Sequence, residues 1–543
     1  MKKISQILTF LVITSMLLPM GWYTVSANMS GAEMTRNIAY VIHYVKPGGS
    51  GDCLSWATAC DLQTALSKIP DQIWVAAGVY KPTATDDRVV SFELESGVKI
   101  FGGFPAAGGA WETRDWEANP TILSGDIGEP GNSDNSYHVV TASWVNRLGV
   151  LDGFTITGGN ADSIFEPNNF GGGMYSTNST STLRNLNFTS NSAYWGAGIY
   201  NTSESNPTLG NVTFSSNSAA RDGGGMYNDQ SNPILSDVIF SANTAVVLGG
   251  GMYNTNSNPT LSNVIFSGNE GDGMYNDHSS PILTNVTFAR NLGSRGGGMA
   301  NYYTSNPTLT NVTFTENASI WGGGMFNLTS SPTLKNVTFS GNSVYKKSDG
   351  QGGWGGGIVN LMESSPTLTN VTFSGNIAEQ GGGGMYNDDN SNPSLTHVTF
   401  YRNSSLSGGG LYNEAIMGFN GCNPKLTNTI VWENSPLADQ IYNADGSSTS
   451  ATYSAIEGVV VYPGEGNINA DPLLGPLADN GGFTQTHAIG SGSPAIDAAD
   501  PASCLDFDQR GVARPQGTGC DMGAYEYEFA DGFKEVFLPL ILR

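Results

Sequence analysis

A unit of about 26 residues recurs through the middle of the chain, and a fixed period of that size restricts the architecture more than any other feature. It reads GGGMYSTNSTSTLRNLNFTSN from Gly171, GAGIYNTSESNPTLGNVTFSSN from Gly196 and GGGMYNDQSNPILSDVIFSAN from Gly223. It begins again at Gly249, Gly271, Gly296, Gly322, Gly355, Gly382 and Gly408. Its phenylalanine falls at Phe188, Phe214, Phe240, Phe266, Phe288, Phe314, Phe339, Phe373 and Phe400. The steps are 25 to 27 residues, apart from one of 22 between Phe266 and Phe288 and one of 34 between Phe339 and Phe373. A unit this small cannot bury a core alone, so the units must stack as a solenoid.

The unit is β rather than α. In Leu-x-Asn-Val-Thr-Phe, Val and Phe stand two apart with Thr between them, the alternation of a strand. Asn-Pro and Gly-Gly-Gly punctuate the runs, and no helical period is sustained. Such a unit holds three short strands and three turns, one coil of a parallel β-helix, with equivalent strands about 4.8 Å apart. The predicted fold is all-β, a single-stranded parallel β-helix with capped ends. Phe, Val, Leu and the Met174 position are expected inside. Asn191, Asn217, Asn243, Asn269 and Asn291, three residues after each Phe, are expected to bond from rung to rung at a bend with a left-handed backbone. The glycines are expected to permit a tight corner.

Stacked coils leave a raw edge at each end, so both ends need covering. Asp61 to Leu66 reads as a short amphipathic helix suited to an N-terminal lid, and the period dissolves after Asn434. Lys2 and Lys3, the apolar run from Ile7 to Met20 and the small residues Val25-Ser26-Ala27 read as a secretory signal peptide. The expected organisation is signal peptide 1–27, linker 28–38, N-terminal cap and irregular first coils 39–160, regular coils 161–434, closing coils with a disulfide-bearing cap 435–527, and a short apolar tail 528–543. An extracellular address suits the five cysteines. Cys53 with Cys60 and Cys504 with Cys520 are the economical pairs, leaving Cys422 as a free thiol or as evidence for another pairing. With 47 acidic against 23 basic residues, the net charge of −24 argues against nucleic-acid partners. The mature part contains no apolar run long enough for a spanning helix.

The alternation of GGGMYN with FSGN over roughly residues 171–434 is similar to the polymorphic outer membrane protein repeat. The segment ADPLLGPLADNGGFTQTHAIGSGSPAIDAAD, followed by DQRGVARPQGTGCDMGAYEYE, resembles the choice-of-anchor Q domain of secreted bacterial proteins. Both families resemble right-handed, pectin-lyase-like β-helices, so the likeness implies that fold and that hand. The first also implies a surface-exposed, often adhesive passenger carried by a C-terminal outer-membrane barrel. Too few residues follow Tyr527 for such a barrel, and autotransport is not expected.

Pectin-lyase-like folds include polysaccharide lyases and hydrolases, which makes an enzyme the rival reading. Hydrolysis needs two carboxylates about 5 to 9.5 Å apart. Asp229, Asp277 and Asp388 each follow a Met by three, but the first two are two rungs apart, about 10 Å. Surface solvation is the expected role of these three. A lyase would want acidic calcium ligands and an Arg or Lys base. Asp272, Asp277, His278, Arg290 and Arg295, within one short coil, form the best such cluster, with Asp277, Arg290 and Arg295 as its catalytic candidates. Beyond that calcium option, no cofactor or metal is expected. His397 is expected to substitute for a ladder residue, and Asp508, Arg510, Arg514 and Asp521 to form structural ion pairs.

The residue after each inward Met should face out. Tyr175, Tyr200, Tyr227, Tyr253 and Tyr275 then form an aromatic stripe, resumed by Tyr386 and Tyr412 after Ala300, Phe326 and Val359. Tyrosine faces can stack on sugars and their hydroxyls can bond to them. The competing reading is a self-stacking ladder that stabilises the sheet. The Asn-Val-Thr triplets match a glycosylation sequon, but they follow from the strand repeat itself. The sequence therefore favours a secreted, non-catalytic β-helix at a bacterial cell surface, engaged in adhesion or polysaccharide binding. A polysaccharide lyase or glycoside hydrolase is the alternative, and a structural spacer comes third.

Overall fold

The computed structural model describes residues 40–129, 131–414 and 421–529; the expected signal peptide and linker lie outside that set, as does most of the apolar tail. Each repeat makes one coil. Leu-x-Asn-Val-Thr-Phe lies in an eight-residue strand, as in Thr208–Ser215, Ile234–Ser241 and Thr260–Ser267. Met-Tyr-Asn begins a second strand, as in Met226–Asp229, and a third side is formed by segments such as Ser218–Asp222. Coil-to-coil pairing is parallel and in register: Phe214 pairs with Phe240, Met226 with Met252, Ala219 with Ala245. The long strands build a 19-stranded sheet and the Met-Tyr-Asn strands a 13-stranded one.

Alternation decides which side chains enter the cylinder. Leu209, Val212 and Phe214 are buried, whereas Thr213 is half-buried on the opposite face. The rings from Phe188 to Phe400 form one stack with centroids 4.5–5.0 Å apart and planes within 9° of parallel. That separation is the strand spacing itself. Each buried ring contributes roughly 1.5–3 kcal/mol, set against the entropy of ordering the coil.

The expected asparagine ladder is present. Asn217 Nδ2 donates to Asn243 Oδ1 at 2.9 Å and to the Phe188 carbonyl at 2.9 Å, and the pattern repeats until Gln440 Oε1 accepts from Asn434 at 2.8 Å. The left-handed residue, however, is the one before each ladder asparagine, such as Ser190 (φ 54°) and Ser216 (φ 55°). Burying the amide in the ladder fixes the Asn backbone, and the bend passes to its exposed neighbour. Asparagine does adopt this conformation in the middle of the long strand, at Asn211 and Asn263 among others (φ 54° each), where the strand turns. A second buried ladder joins Asn201, Asn228, Asn254 and Asn276 at 2.8–2.9 Å.

The corner glycines meet two demands. Gly223 has φ 71°, while a Cβ on Gly225 would lie 2.5 Å from the Gly251 carbonyl and 2.7 Å from the Phe240 ring. This corner also absorbs the changes in repeat length. Nine positions separate Asn243 from Met252, five separate Asn269 from Met274, and sixteen separate Asn342 from Ile358. The Phe and Met ladders stay in register across both irregular coils.

At the N-terminal end the helix Leu62–Ser67 is capped by Asp61, whose Oδ1 accepts from the Thr64 amide at 2.9 Å. Its Leu62, Ala65 and Leu66 join the core beside Val45 and Ile73. The Cys53–Cys60 disulfide lies next to it, and Cys504–Cys520 is also formed; the Cα separations are 4.8 and 6.0 Å. Cys422 is free and buried.

Beyond Asn434 the strands Ile441–Asn443, Ser450–Thr452 and Ala455–Ile456 continue the coils. The disulfide-bearing segment expected to close the cylinder instead turns back along its side, as a flap on the outer face of the long sheet. Thr338 Oγ1 donates to the Gln485 carbonyl at 2.6 Å, Asn370 Nδ2 to the Phe507 carbonyl at 2.9 Å, and the Ala524 amide to Thr399 Oγ1 at 3.1 Å. The outward Thr and Asn rows offer this polar segment partners that an apolar core end would not.

Candidate functional site

The flap leaves half of that sheet face open. One outward ladder runs Thr155, Asn187, Thr213, Ile239, Ile265, Thr287, Thr313, Thr338, Thr372, Thr399. From Thr338 onward it is buried; from Asn187 to Thr313 it is accessible, with Ile239 39% and Ile265 42% exposed. At the other end the loop before Thr121 rises from the first coils. Arg114 anchors it, donating from Nη2 to the Asp152 carboxylate at 2.6 Å and from Nε to the Gly102 carbonyl at 2.7 Å. Trp116 packs on Gly103 and Gly153, where a Cβ would fall 2.7 and 3.1 Å from its atoms.

The open rungs thus lie in a trough with a wall at each end, roughly 24 Å from Asn187 to Thr313 at five strand spacings. A notch of about 370 Å³ separates the floor from Trp116 and Glu117, and another of about 460 Å³ lies against Phe507 and Asp508. The floor is mostly hydroxyl and carboxamide: Thr213, Thr287 and Thr313 in the middle, Ser236, Ser262 and Thr284 to one side, Ser215, Ser241 and Ser267 to the other. Along it the mid-strand asparagines form a surface amide row, with Asn285 Nδ2 donating to Asn263 Oδ1 and Asn311 Nδ2 to Asn285 Oδ1, both at 3.1 Å.

The tyrosines belong to the 13-stranded sheet, and they stack on one another. Centroids lie 6.2 Å apart for Tyr175–Tyr200, 4.8 Å for Tyr200–Tyr227, 4.7 Å for Tyr227–Tyr253 and 5.1 Å for Tyr253–Tyr275. At Ala300 the gap is filled by Tyr302, whose ring lies 5.0 Å from Tyr275 and 5.3 Å from Phe326. Tyr386 and Tyr412 resume the stack at 5.5 Å. Tyr200, Tyr253, Tyr275 and Tyr386 are buried, and Tyr175, Tyr227 and Tyr412 half-buried. Their faces meet each other, and burial raises the hydroxyl pKa, to about 12 at Tyr412.

The lyase-type cluster is dispersed around its coil. Asp277 ends a Met-Tyr-Asn strand and contacts only its neighbour His278, at 2.7 Å, among charged partners. Arg290 follows a long strand and pairs with Glu316 at 2.7 Å. Arg295, at the variable corner, donates to the Tyr302 hydroxyl at 2.8 Å. Asp272 is fully buried in the shortened corner, accepting from the Ser294 amide at 3.1 Å, and burial pushes its pKa well up. Asp229 and Asp277 are separated by Thr255 in the ladder. Asp388 is lifted to about 6, first by burial and then by Asp389. Among the described residues, no group of three or more His, Cys, Asp or Glu side chains is placed to hold a metal ion.

His397 takes the triplet-asparagine position (φ 53°) beneath the flap, its ring nitrogens on the Gly523 carbonyl at 3.2 Å and Asn428 Nδ2 at 3.0 Å. Burial lowers its pKa to about 3, so it is neutral. Asp508 pairs with Arg510 at 2.7 Å, Arg514 with Glu526 at 2.9 Å, and Asp521 accepts from the Asp497 amide at 2.8 Å, all inside the flap. The trough itself was not read from the sequence. Its one local sign is the hydroxyl and amide content of the outward rows.

A family model for the right-handed β-helix region matches residues 152–288 and 249–455. No curated protein sequence matches the chain. Among solved structures, a pectate lyase is 12% identical over 89% of this chain and 96% of its own, with a TM-score of 0.33. The catalytic domain of a GH87 α-1,3-glucanase in complex with tetrasaccharides is 12% identical over 78% of this chain and 70% of its own, with a TM-score of 0.40. A rhamnogalacturonan lyase is 9% identical over 77% of this chain and 89% of its own, with a TM-score of 0.27. The family match takes in more than half of the chain, and its residues are the parallel coils described above: the protein belongs to the right-handed β-helix family.

Proposed function

We propose that this protein is secreted or displayed at a bacterial surface and holds a polysaccharide chain along its trough without cleaving it. The observation that carries this reading is the six-rung floor of hydroxyls and amides between two walls, with Ile239 and Ile265 providing apolar contact at its centre. The flap supports it from within the molecule. An extended polar segment already lies on the same Thr and Asn rows, with Thr372 Oγ1 donating to Gln509 Oε1 at 2.7 Å. The tyrosine ladder is a weaker docking surface, because its ring faces are occupied. The dispersed carboxylates favour binding over hydrolysis. The likeness to polymorphic outer membrane protein repeats and to choice-of-anchor Q domains belongs to the same proposal and supplies the extracellular setting.

Calorimetric titration with neutral polysaccharides tests it, comparing the native chain with a Thr287→Arg, Thr313→Arg double variant. The native chain should bind, the variant should lose about tenfold or more, and neither new reducing ends nor ultraviolet-absorbing products should form. Either product would replace the reading with a hydrolase or a lyase. Undiminished binding by the variant would move the ligand off the trough.

A further inference from the structure

We infer that the notch at Trp116 is an end-recognition pocket, built for the terminal residue of a glycan that presents hydroxyl donors and no carboxylate. The inference rests on the trough reading and goes beyond it, since a trough alone accepts any stretch of chain.

Two independent features coincide there. The first is shape. The loop carrying Trp116 and Glu117 stands on the rungs of Gly103 and Gly153, so a chain lying on Asn187 and Thr213 meets the half-buried Trp116 at the end of the floor. A tryptophan beside a floor of amides and hydroxyls suits a sugar ring, apolar on one side and polar at its rim.

The second is the polarity of the amide row. Asp152 is buried and held by Arg114, so it must receive a donor; Asn185 Nδ2 supplies it at 2.8 Å. That fixes the next link, in which Asn211 Nδ2 donates to Asn185 Oδ1 at 2.8 Å. From the other side, Asn263 Nδ2 donates to Asp237 Oδ1 at 3.1 Å. Asn211 and Asp237, both exposed, therefore lie one rung spacing apart, about 4.8 Å, with two acceptors and no protein donor between them. Every other link of the row from Asn263 to Asn370 has its donor. The break lies at the edge of the notch, where a ligand hydroxyl can donate. A carboxylate would be repelled there by Asp237, by Glu117 and by the chain's charge of −24.

The test is calorimetry on linear gluco-hexasaccharides of cello, laminari and malto linkage, on the corresponding soluble polymers, and on hexagalacturonate. For the linkage that binds, stoichiometry should count chain ends, with hexamer and polymer equal per end, and hexagalacturonate should not bind. Trp116→Ala should weaken binding about tenfold or more. Asp237→Asn restores a donor to the row and should weaken binding several-fold, with the melting temperature unchanged or raised, which separates lost recognition from lost folding. Stoichiometry that scales with polymer mass, binding of hexagalacturonate as tight as that of the neutral hexamers, or unchanged affinity in both variants overturns the pocket. If those results accompany loss of binding in the Thr287→Arg, Thr313→Arg variant, the trough reading stands without it. Absence of binding by any neutral glycan sinks both.

Discussion

The rungs from Asn187 to Thr313 and those from Thr338 to Thr399 carry the same inward residues and differ in what lies outside them. In the first group the outward Thr is accessible; in the second it is buried beneath residues far along the chain, as with Thr338 against Gln485, 147 positions away. The strand Thr308–Thr315 reads TLTNVTFT and the strand Thr333–Ser340 reads TLKNVTFS, yet one floors the trough and the other supports the flap. The repeat therefore determines the core, and a non-repeating segment decides which part of the face is free to bind.

If that division holds, the core should not sense the flap. Phe314→Ala and Phe373→Ala should each cost about 3–5 kcal/mol, equally in the open and covered regions, as read from denaturant melts. A cost below about 1 kcal/mol at either site would place that ring outside the core. A clear inequality would mean that the flap clamps the coils it covers.

Acid should loosen the flap from the covered region. His487 lies in the flap, with Nε2 3.0 Å from Ser374 Oγ, and burial lowers its pKa from 6.5 to about 4; His397 beneath it falls to about 3. A released flap would bind protons at these rings that the docked flap does not. Docking is therefore strongest above pH 6.5 and weakens as pH falls toward 4. Asp521, raised to about 6 by burial, opposes this, so the informative quantity is the difference made by His487→Gln. That variant should resist acid release by on the order of 3 kcal/mol near pH 4, measured by hydrogen exchange on the strands of Thr372 and Thr399. Identical pH profiles would remove His487 from the switch.

Gln509 is the next contact to break. Its Nε2 donates to Thr338 Oγ1 at 2.8 Å and to Thr484 Oγ1 at 2.9 Å, and its Oε1 accepts from Thr372. Gln509→Ala should cost about 1–3 kcal/mol in flap docking. Exchange protection should fall under the flap and stay unchanged from Asn187 to Thr313. A uniform loss would mean that flap and coils unfold as one unit.

Much of the fold was legible because its determinants lie one period apart. Phe, Val and Leu alternate within six residues, and each stacks on its copy in the next unit, so the interior could be read from local sequence. The ladder at Asn191 was legible for the same reason, and the one at Asn201 carried an equal signal, an Asn two residues after the inward Met or Ile of each coil from Ile199 to Met385. The filling of the gap at Ala300 by Tyr302 was not legible, since it requires a side chain from a neighbouring position to swing into the stack. The trough was hidden for a deeper reason. It is defined by where Trp116 and the flap stand, and those contacts join residues without a shared pattern.

The smallest effect is also the sharpest test of the comparison. Thr313 and Thr372 occupy the same place in the repeat and differ in what their hydroxyls meet. Thr372 Oγ1 donates to Gln509 at 2.7 Å in a buried setting, while Thr313 is accessible to water. Thr→Val keeps the shape and removes the hydroxyl. Thr372→Val should cost about 1–2 kcal/mol, because it leaves a buried amide oxygen without its donor. Thr313→Val should stay within about 0.5 kcal/mol, because water already satisfied its hydroxyl and a β-branched side chain suits the strand. Equal costs in melts would show that position in the repeat, rather than cover by the flap, sets the worth of an outward residue, and the trough would lose its distinction from the rest of the sheet.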